Sequence, residues 1–171
     1  MMLSMEVFFR KPGRYPQSFP NGWFVILESS ELGPGEVKEV DALGLVLAVF
    51  RGESGEVFAT EAYCPHLGAN LCSGGIVKKD CIVCPFHKWT FSGETGECIS
   101  VPYSSATNPK NSRLKTFPVR EQNQFIYLWF HTEGEDPSWC PEVVEEVDNG
   151  SWTYHGRSEY YVNVHIQVST F

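Results

Sequence analysis

Two short stretches, Cys64-Pro65-His66-Leu67-Gly68-Ala69-Asn70 and Cys84-Pro85-Phe86-His87-Lys88-Trp89, constrain this chain of 171 residues more than anything else in it. Together they write Cys-x-His, a gap of seventeen residues, then Cys-x-x-His. Each Cys-Pro step starts a stiff turn, because proline fixes its own φ and biases the residue before it toward extended backbone. Gly68 and the Gly74-Gly75 pair suit loops whose backbone amides come close to sulfur. Random placement of the chain's cysteines and histidines would produce this pattern only about once in a thousand chains.

The chemistry of the donor set explains the pairing. One iron of a [2Fe–2S] cluster takes two thiolates and the other two neutral imidazoles, so Cys64, His66, Cys84 and His87 are the candidate ligands, each loop supplying one to each iron. Imidazole is neutral where thiolate carries a charge, which raises the reduction potential above that of an all-cysteine cluster. Such a site passes single electrons. The competing reading is zinc at Cys81-x-x-Cys84, completed by Cys64, Cys72 or a histidine, in an interaction module with no redox role. It leaves His66 and His87 unexplained in mirrored positions. Cys72, Cys81, Cys98 and Cys140 otherwise read as small buried hydrophobes. His131, His155 and His165 have no partner at ligand spacing and read as ordinary surface or strand histidines. Lys78, Lys79 and Lys88 neighbour the loops in sequence and read as solvated turn positions, with a basic docking face for an acidic reductase as the alternative.

Helical periodicity is scarce, whereas short β-branched and aromatic runs recur between turn signals, which predicts a mostly antiparallel β domain. Trp23–Leu27 is one run. Leu45–Phe50, the turn Glu53-Ser54-Gly55 and Val57–Thr60 make a hairpin. Trp89–Phe91 and Cys98–Val101 flank Gly93-Glu94-Thr95-Gly96, and Thr116–Arg120 is expected to pair with Phe125–Phe130 across Glu121-Gln122-Asn123-Gln124. Ser151–Tyr154 and Glu159–Val168 again look like strands. There is no internal repeat and no low-complexity tract.

Apolar residues make up 42% and charged residues 20%, ordinary for a soluble globular protein. The formal net charge of −8 is unevenly placed: residues 133–148 hold seven of the 21 acids and no base. A nearly neutral body with one acidic stretch gives no electrostatic reason to expect nucleic acid as a partner. The segment Thr132-Glu133-Gly134-Glu135-Asp136-Pro137 combines acids with turn formers and reads as a domain boundary. No signal peptide or membrane span is legible, so an intracellular, cytoplasmic-side location is expected, where cysteines serve as ligands or free thiols.

At the motif residues the chain resembles the Rieske superfamily. Members in cytochrome complexes carry one further cysteine per loop, joined in a disulfide; Ala69 and Phe86 stand at those places, which is the oxygenase-type pattern. Phe19-Pro20-Asn21-Gly22-Trp23, Ala62–Leu71, Asp80–His87 and Gly93-Glu94-Thr95-Gly96 resemble the animal cholesterol 7-desaturases, with similarity from about Pro20 to Gln167. The resemblance departs at Lys88, where many oxygenase-type members have glycine.

For fold, the resemblance implies an antiparallel β-sandwich with a small cluster-binding subdomain over residues 20–131. An N-terminal arm at 1–19 precedes it; an acidic linker at 132–151 and an incomplete opening of an α+β catalytic domain at 152–171 follow. For function, it implies an electron-transfer domain fed by an NAD(P)H-dependent reductase or ferredoxin. In the complete enzyme a mononuclear non-haem iron would receive the electrons and use O2 to introduce the 7,8 double bond of a sterol. The two histidines and carboxylate for that iron would lie beyond Gln167, so this chain holds only the electron-transfer part. Homotrimers, frequent among such oxygenases, are an option for the complete enzyme, as is membrane association. A stand-alone Rieske ferredoxin is the alternative.

Overall fold

The run Leu45–Phe50 is apolar at every position because the strand it forms is buried on both faces. A half-exposed strand would alternate apolar and polar residues. In the computed structural model, which describes residues 19–103, 112–158, 160 and 162, Leu47, Ala48, Val49 and Phe50 are all fully buried. Leu47 and Val49 face one core, with Leu32, Ala59, Ile126 and Leu128. Ala48 and Phe50 face a second, with Leu71, Ile82, Trp89, Phe91 and both motif cysteines.

The elements are β1 (Gly22–Glu28), a 3-10 turn (Ser29–Glu31), β2 (Val37–Ala42), β3 (Leu45–Arg51), β4 (Val57–Glu61), β5 (Ile76–Lys78), β6 (Cys81–Val83), β7 (Thr90–Ser92), β8 (Cys98–Ser100), β9 (Thr116–Phe117), β10 (Val119–Gln122), β11 (Phe125–Phe130) and a helical turn, α1 (Glu145–Asp148). The strands form three antiparallel sheets, ordered β1-β11-β10, β2-β3-β4-β9 and β5-β6-β7-β8. The first two enclose the core of Leu47 and Val49; the third packs its Ile82 and Phe91 on the Phe50 side of β3. The mostly β sandwich with a smaller third sheet, β5-β6-β7-β8, beside it is therefore the observed architecture.

The β3–β4 and β7–β8 hairpins form where expected. The expected strand Thr116–Arg120 is instead cut at Pro118. Thr116 and Phe117 pair with β4, while Val119–Gln122 pair with β11. Proline has no N–H to give a ladder, so the chain changes sheets there. The β10–β11 turn is the two-residue Asn123-Gln124, both at positive φ, 53° and 66°, which matches the twist of a tight hairpin. Ser151–Tyr154 is not a strand; Trp152 N–H donates to Glu146 O and the Tyr154 hydroxyl to Glu28 Oε1 instead. The arm before Phe19, His165, and nearly all of the expected strand at 159–168 lie outside the described residues.

The acidic stretch after β11 is held along its length on the first sheet. Trp129 Nε1 donates to Glu135 O at 2.8 Å, Trp23 Nε1 to Trp139 O at 2.7 Å, Gln122 Nε2 to Pro141 O at 2.8 Å and Asn123 Nδ2 to Glu142 O at 2.8 Å. The Trp139 ring meets that of Trp129 edge-on. Among the described residues no helix is long and apolar enough to cross a membrane.

Candidate functional site

Both motif stretches leave the sheets as the same loop. In the first, Cys64 N–H donates to Ala69 O at 2.9 Å and Gly68 N–H to Cys64 O at 2.8 Å. In the second, Cys84 N–H donates to Trp89 O at 2.8 Å and Lys88 N–H to Cys84 O at 3.1 Å. Each loop thus closes from cysteine to the residue five on, with proline second and a left-handed residue fifth: Gly68 at φ 70° and Lys88 at φ 58°. Within one backbone shape the histidine stands third in one loop and fourth in the other. The complementary positions, Leu67 and Phe86, carry apolar side chains that are 71% and 69% exposed at the loop tips.

The Lys88 departure therefore leaves the loop intact. Its strained conformation is held in part by its own side chain, whose Nζ donates to Pro85 O at 2.9 Å. Gly75 is required for a reason other than contact with sulfur: a Cβ there would lie 1.9 Å from the Leu71 carbonyl oxygen, so only glycine admits that close backbone approach.

The fold sets the two motif cysteines side by side and the two motif histidines side by side. Cys64 and Cys84 are almost wholly buried, and burial pushes the Cys64 thiol up to about 11, with the Cys84 thiol beside it adding to the rise. A metal bound there takes its cysteine ligands as thiolates, so binding releases their protons. The rings of His66 and His87 lie 4.8 Å apart, edge to face. His66 Nδ1 is buried and has no hydrogen-bond partner. A donor set of two thiols and two imidazoles, with one ring nitrogen unsatisfied, fits a [2Fe–2S] cluster of mixed ligation.

Zinc at Cys81-x-x-Cys84 does not fit. Cys81 opens β6, and three steps along an extended chain carry Cys84 about 10 Å away with its side chain on the opposite face. Among the described residues no three His, Cys, Asp or Glu side chains converge as a single ion requires. Cys98 is buried, as expected, and Cys72 and Cys81 are half-buried, but Cys140 is exposed; it lies on the surface stretch after β11 with Arg120 Nη1 3.1 Å from its sulfur. Burial, with the Glu39 carboxylate nearby, drives the Cys72 thiol up to about 12, which disfavours the reactive thiolate.

His131 is not an ordinary surface residue: its side chain is largely covered, its ring stacks on Trp129 with centroids 6.1 Å apart, and Glu133 and Glu135 flank it, whereas His155 is exposed. Lys78 and Lys79 sit at the far end of the β5–β6 hairpin, where Asp80 accepts from Ser54 N–H and its hydroxyl. They are turn residues, and Lys88 alone of the three belongs to a motif loop.

Two contacts escaped the sequence reading. The Trp89 indole stacks on the His66 ring with centroids 4.3 Å apart and planes 10° from parallel. The Tyr103 hydroxyl donates to His87 O at 2.8 Å. Laying one loop over the other, cysteine on cysteine, would have flagged both Trp89 and Lys88 by position; nothing local points to Tyr103. A groove of about 520 Å³ between Phe117, Trp129 and Glu135 is lined by none of the four candidate ligands.

Mirrored Cys-Pro loops carrying a histidine each, set beside an antiparallel sandwich, define a class, and the chain belongs to it: the family model of the Rieske [2Fe-2S] domain matches residues 22–118. Among its relatives is a cholesterol 7-desaturase of Ciona intestinalis, 49% identical over 152 residues, 89% of this chain and 32% of that protein. Among solved structures, dicamba monooxygenase superposes with a TM-score of 0.66 at 30% identity, covering 75% of this chain and 40% of that one. The oxygenase of carbazole 1,9a-dioxygenase, solved in a reduced complex with ferredoxin, gives 0.59 at 28% identity, covering 65% and 29%. The chain spans about a third of the length of the curated relatives it matches.

Proposed function

We propose that Cys64 and Cys84 hold one iron and His66 and His87 the other iron of a [2Fe–2S] cluster, and that the domain passes electrons singly. The observation that carries this is that two loops of one conformation set two buried thiols side by side and two imidazoles side by side, with His66 Nδ1 left unsatisfied. When bound, the cluster supplies one-electron redox chemistry at a potential above that of an all-cysteine site. The chain's part is to surrender the two thiol protons, hold both imidazoles at fixed planes and keep water from the sulfur side through Phe91, Leu71 and Ile82.

In a complete enzyme, residues 20–131 serve as the electron-transfer domain and 152–171 open a catalytic domain. An NAD(P)H-dependent reductase or ferredoxin supplies the electrons, and a mononuclear non-haem iron receives them to desaturate a sterol at the 7,8 position with O2. Similarity to cholesterol 7-desaturases supports the substrate class, and the ferredoxin complex of a related oxygenase supports the donor class.

The test is metal and sulfide analysis with low-temperature EPR of dithionite-reduced protein purified without air. Iron and sulfide in equal amounts and a rhombic signal are expected. His66→Ala or His87→Ala should abolish that signal, while Cys72→Ser and Cys98→Ser leave it unchanged. Zinc with no signal, or loss of signal in the Cys72 or Cys98 variants, overturns the assignment.

A further inference from the structure

Only three buried side-chain polar atoms among the described residues lack a hydrogen-bond partner: Ser29 Oγ, His66 Nδ1 and Trp89 Nε1. Two of the three belong to rings stacked face to face, 4.3 Å between centroids. Trp89 is 8% exposed, and an indole N–H can only donate, so its burial without an acceptor forfeits hydration with nothing in return. Orphaned groups are rare enough that two on adjacent rings point to one missing partner. That partner must bind a ring nitrogen and accept a hydrogen bond at neighbouring points. A [2Fe–2S] cluster does both, through iron and through sulfur.

We propose that Trp89 is a positioning residue of the cluster site: its indole plane fixes the ring of His66, and its Nε1–H donates to a cluster sulfur, inorganic or thiolate. This rests on the cluster reading above. The two parts of the role separate physically. Stacking sets the orientation of the imidazole about its bond to iron and so the anisotropy of the reduced cluster. A hydrogen bond to sulfur offsets the added negative charge on reduction and so raises the potential. A tryptophan present only as core filler would do neither.

Trp89→Phe keeps an aromatic plane and removes the N–H; Trp89→Leu removes both. Each is loaded with iron and sulfide alongside the wild-type chain, then titrated spectroelectrochemically and examined by EPR. Trp89→Phe is expected to shift the reduced-to-oxidised ratio at fixed potential about tenfold toward oxidised, 59 mV for one electron, with g-values unchanged. Trp89→Leu is expected to show the same loss and altered g-values. After exchange into D2O, the reduced wild-type cluster should show one deuteron coupling that Trp89→Phe lacks. An unchanged potential and an unchanged deuteron spectrum in Trp89→Phe overturn the hydrogen bond; wild-type g-values in Trp89→Leu overturn the positioning of His66. If Trp89→Leu fails to fold, Trp89→Phe and the deuteron measurement still decide the donor. A wild-type chain that takes up no cluster overturns the underlying reading instead, which keeps the two failures apart.

Discussion

Lys88 holds its backbone at φ 58°, where the Cβ of an L-residue crowds the following carbonyl at a cost of about 1–2 kcal/mol. Glycine would remove that strain but lose about 0.5–1 kcal/mol in chain entropy. The exposed Nζ bond to Pro85 O is worth less than either, being screened by water. Lys88→Gly is therefore expected to stabilise the chain by about 0.5 kcal/mol, read as a higher urea midpoint at unchanged slope. A lower midpoint would show that the Nζ contact outweighs the strain. At this scale the sequence is most legible where chemistry alone decides: Cys64, His66, Cys84 and His87 are named by donor type and spacing. Cys140 was misread because exposure is set by the path of the chain after β11, which the residue itself does not reveal.

Arg51 ends β3 in one sheet and Glu121 stands on β10 in the other, and they meet as a bidentate pair, Nη1 to Oε2 at 2.7 Å and Nη2 to Oε1 at 2.8 Å. The guanidinium holds the Glu121 carboxyl below its usual value of 4.5. A carboxylate so depressed contributes its full stability above that value and loses it as pH falls through the lower folded one. Glu121 is partly exposed, so the contribution is about 1 kcal/mol. Glu121→Gln is expected to lower stability by that amount at pH 7 and to converge on the wild type as pH falls below the folded value, by urea unfolding at a series of pH values from 7 downward. A deficit that persists at low pH would assign the loss to packing. Hairpins such as β3–β4 were readable because a local turn sets their register. The pairing of Gly22 with Phe130 across β1 and β11, and the sheet change at Pro118, depend on partners far away in the chain.

Among the described residues two cores lie back to back on β3, and one of them contains the candidate cysteine ligands. Metal binding energy is folding energy for the loops that supply the donors. Chelating the iron is therefore expected to strip amide-exchange protection from residues 62–75 and 81–91. Leu47, Val49, Ile126 and Leu128 should keep theirs. Simultaneous loss in both regions would show a single cooperative unit. The sequence by itself determined the mostly β class and singled out the four side chains proposed as donors, because periodicity and ligand chemistry are local properties of the chain. Only the tertiary structure decided that both loops share one backbone shape, that Trp89 lies against His66 with its N–H unsatisfied, and that the acidic stretch runs along the first sheet. Each of those depends on contacts between residues distant in sequence or on a match of loop conformation that residue identity does not encode.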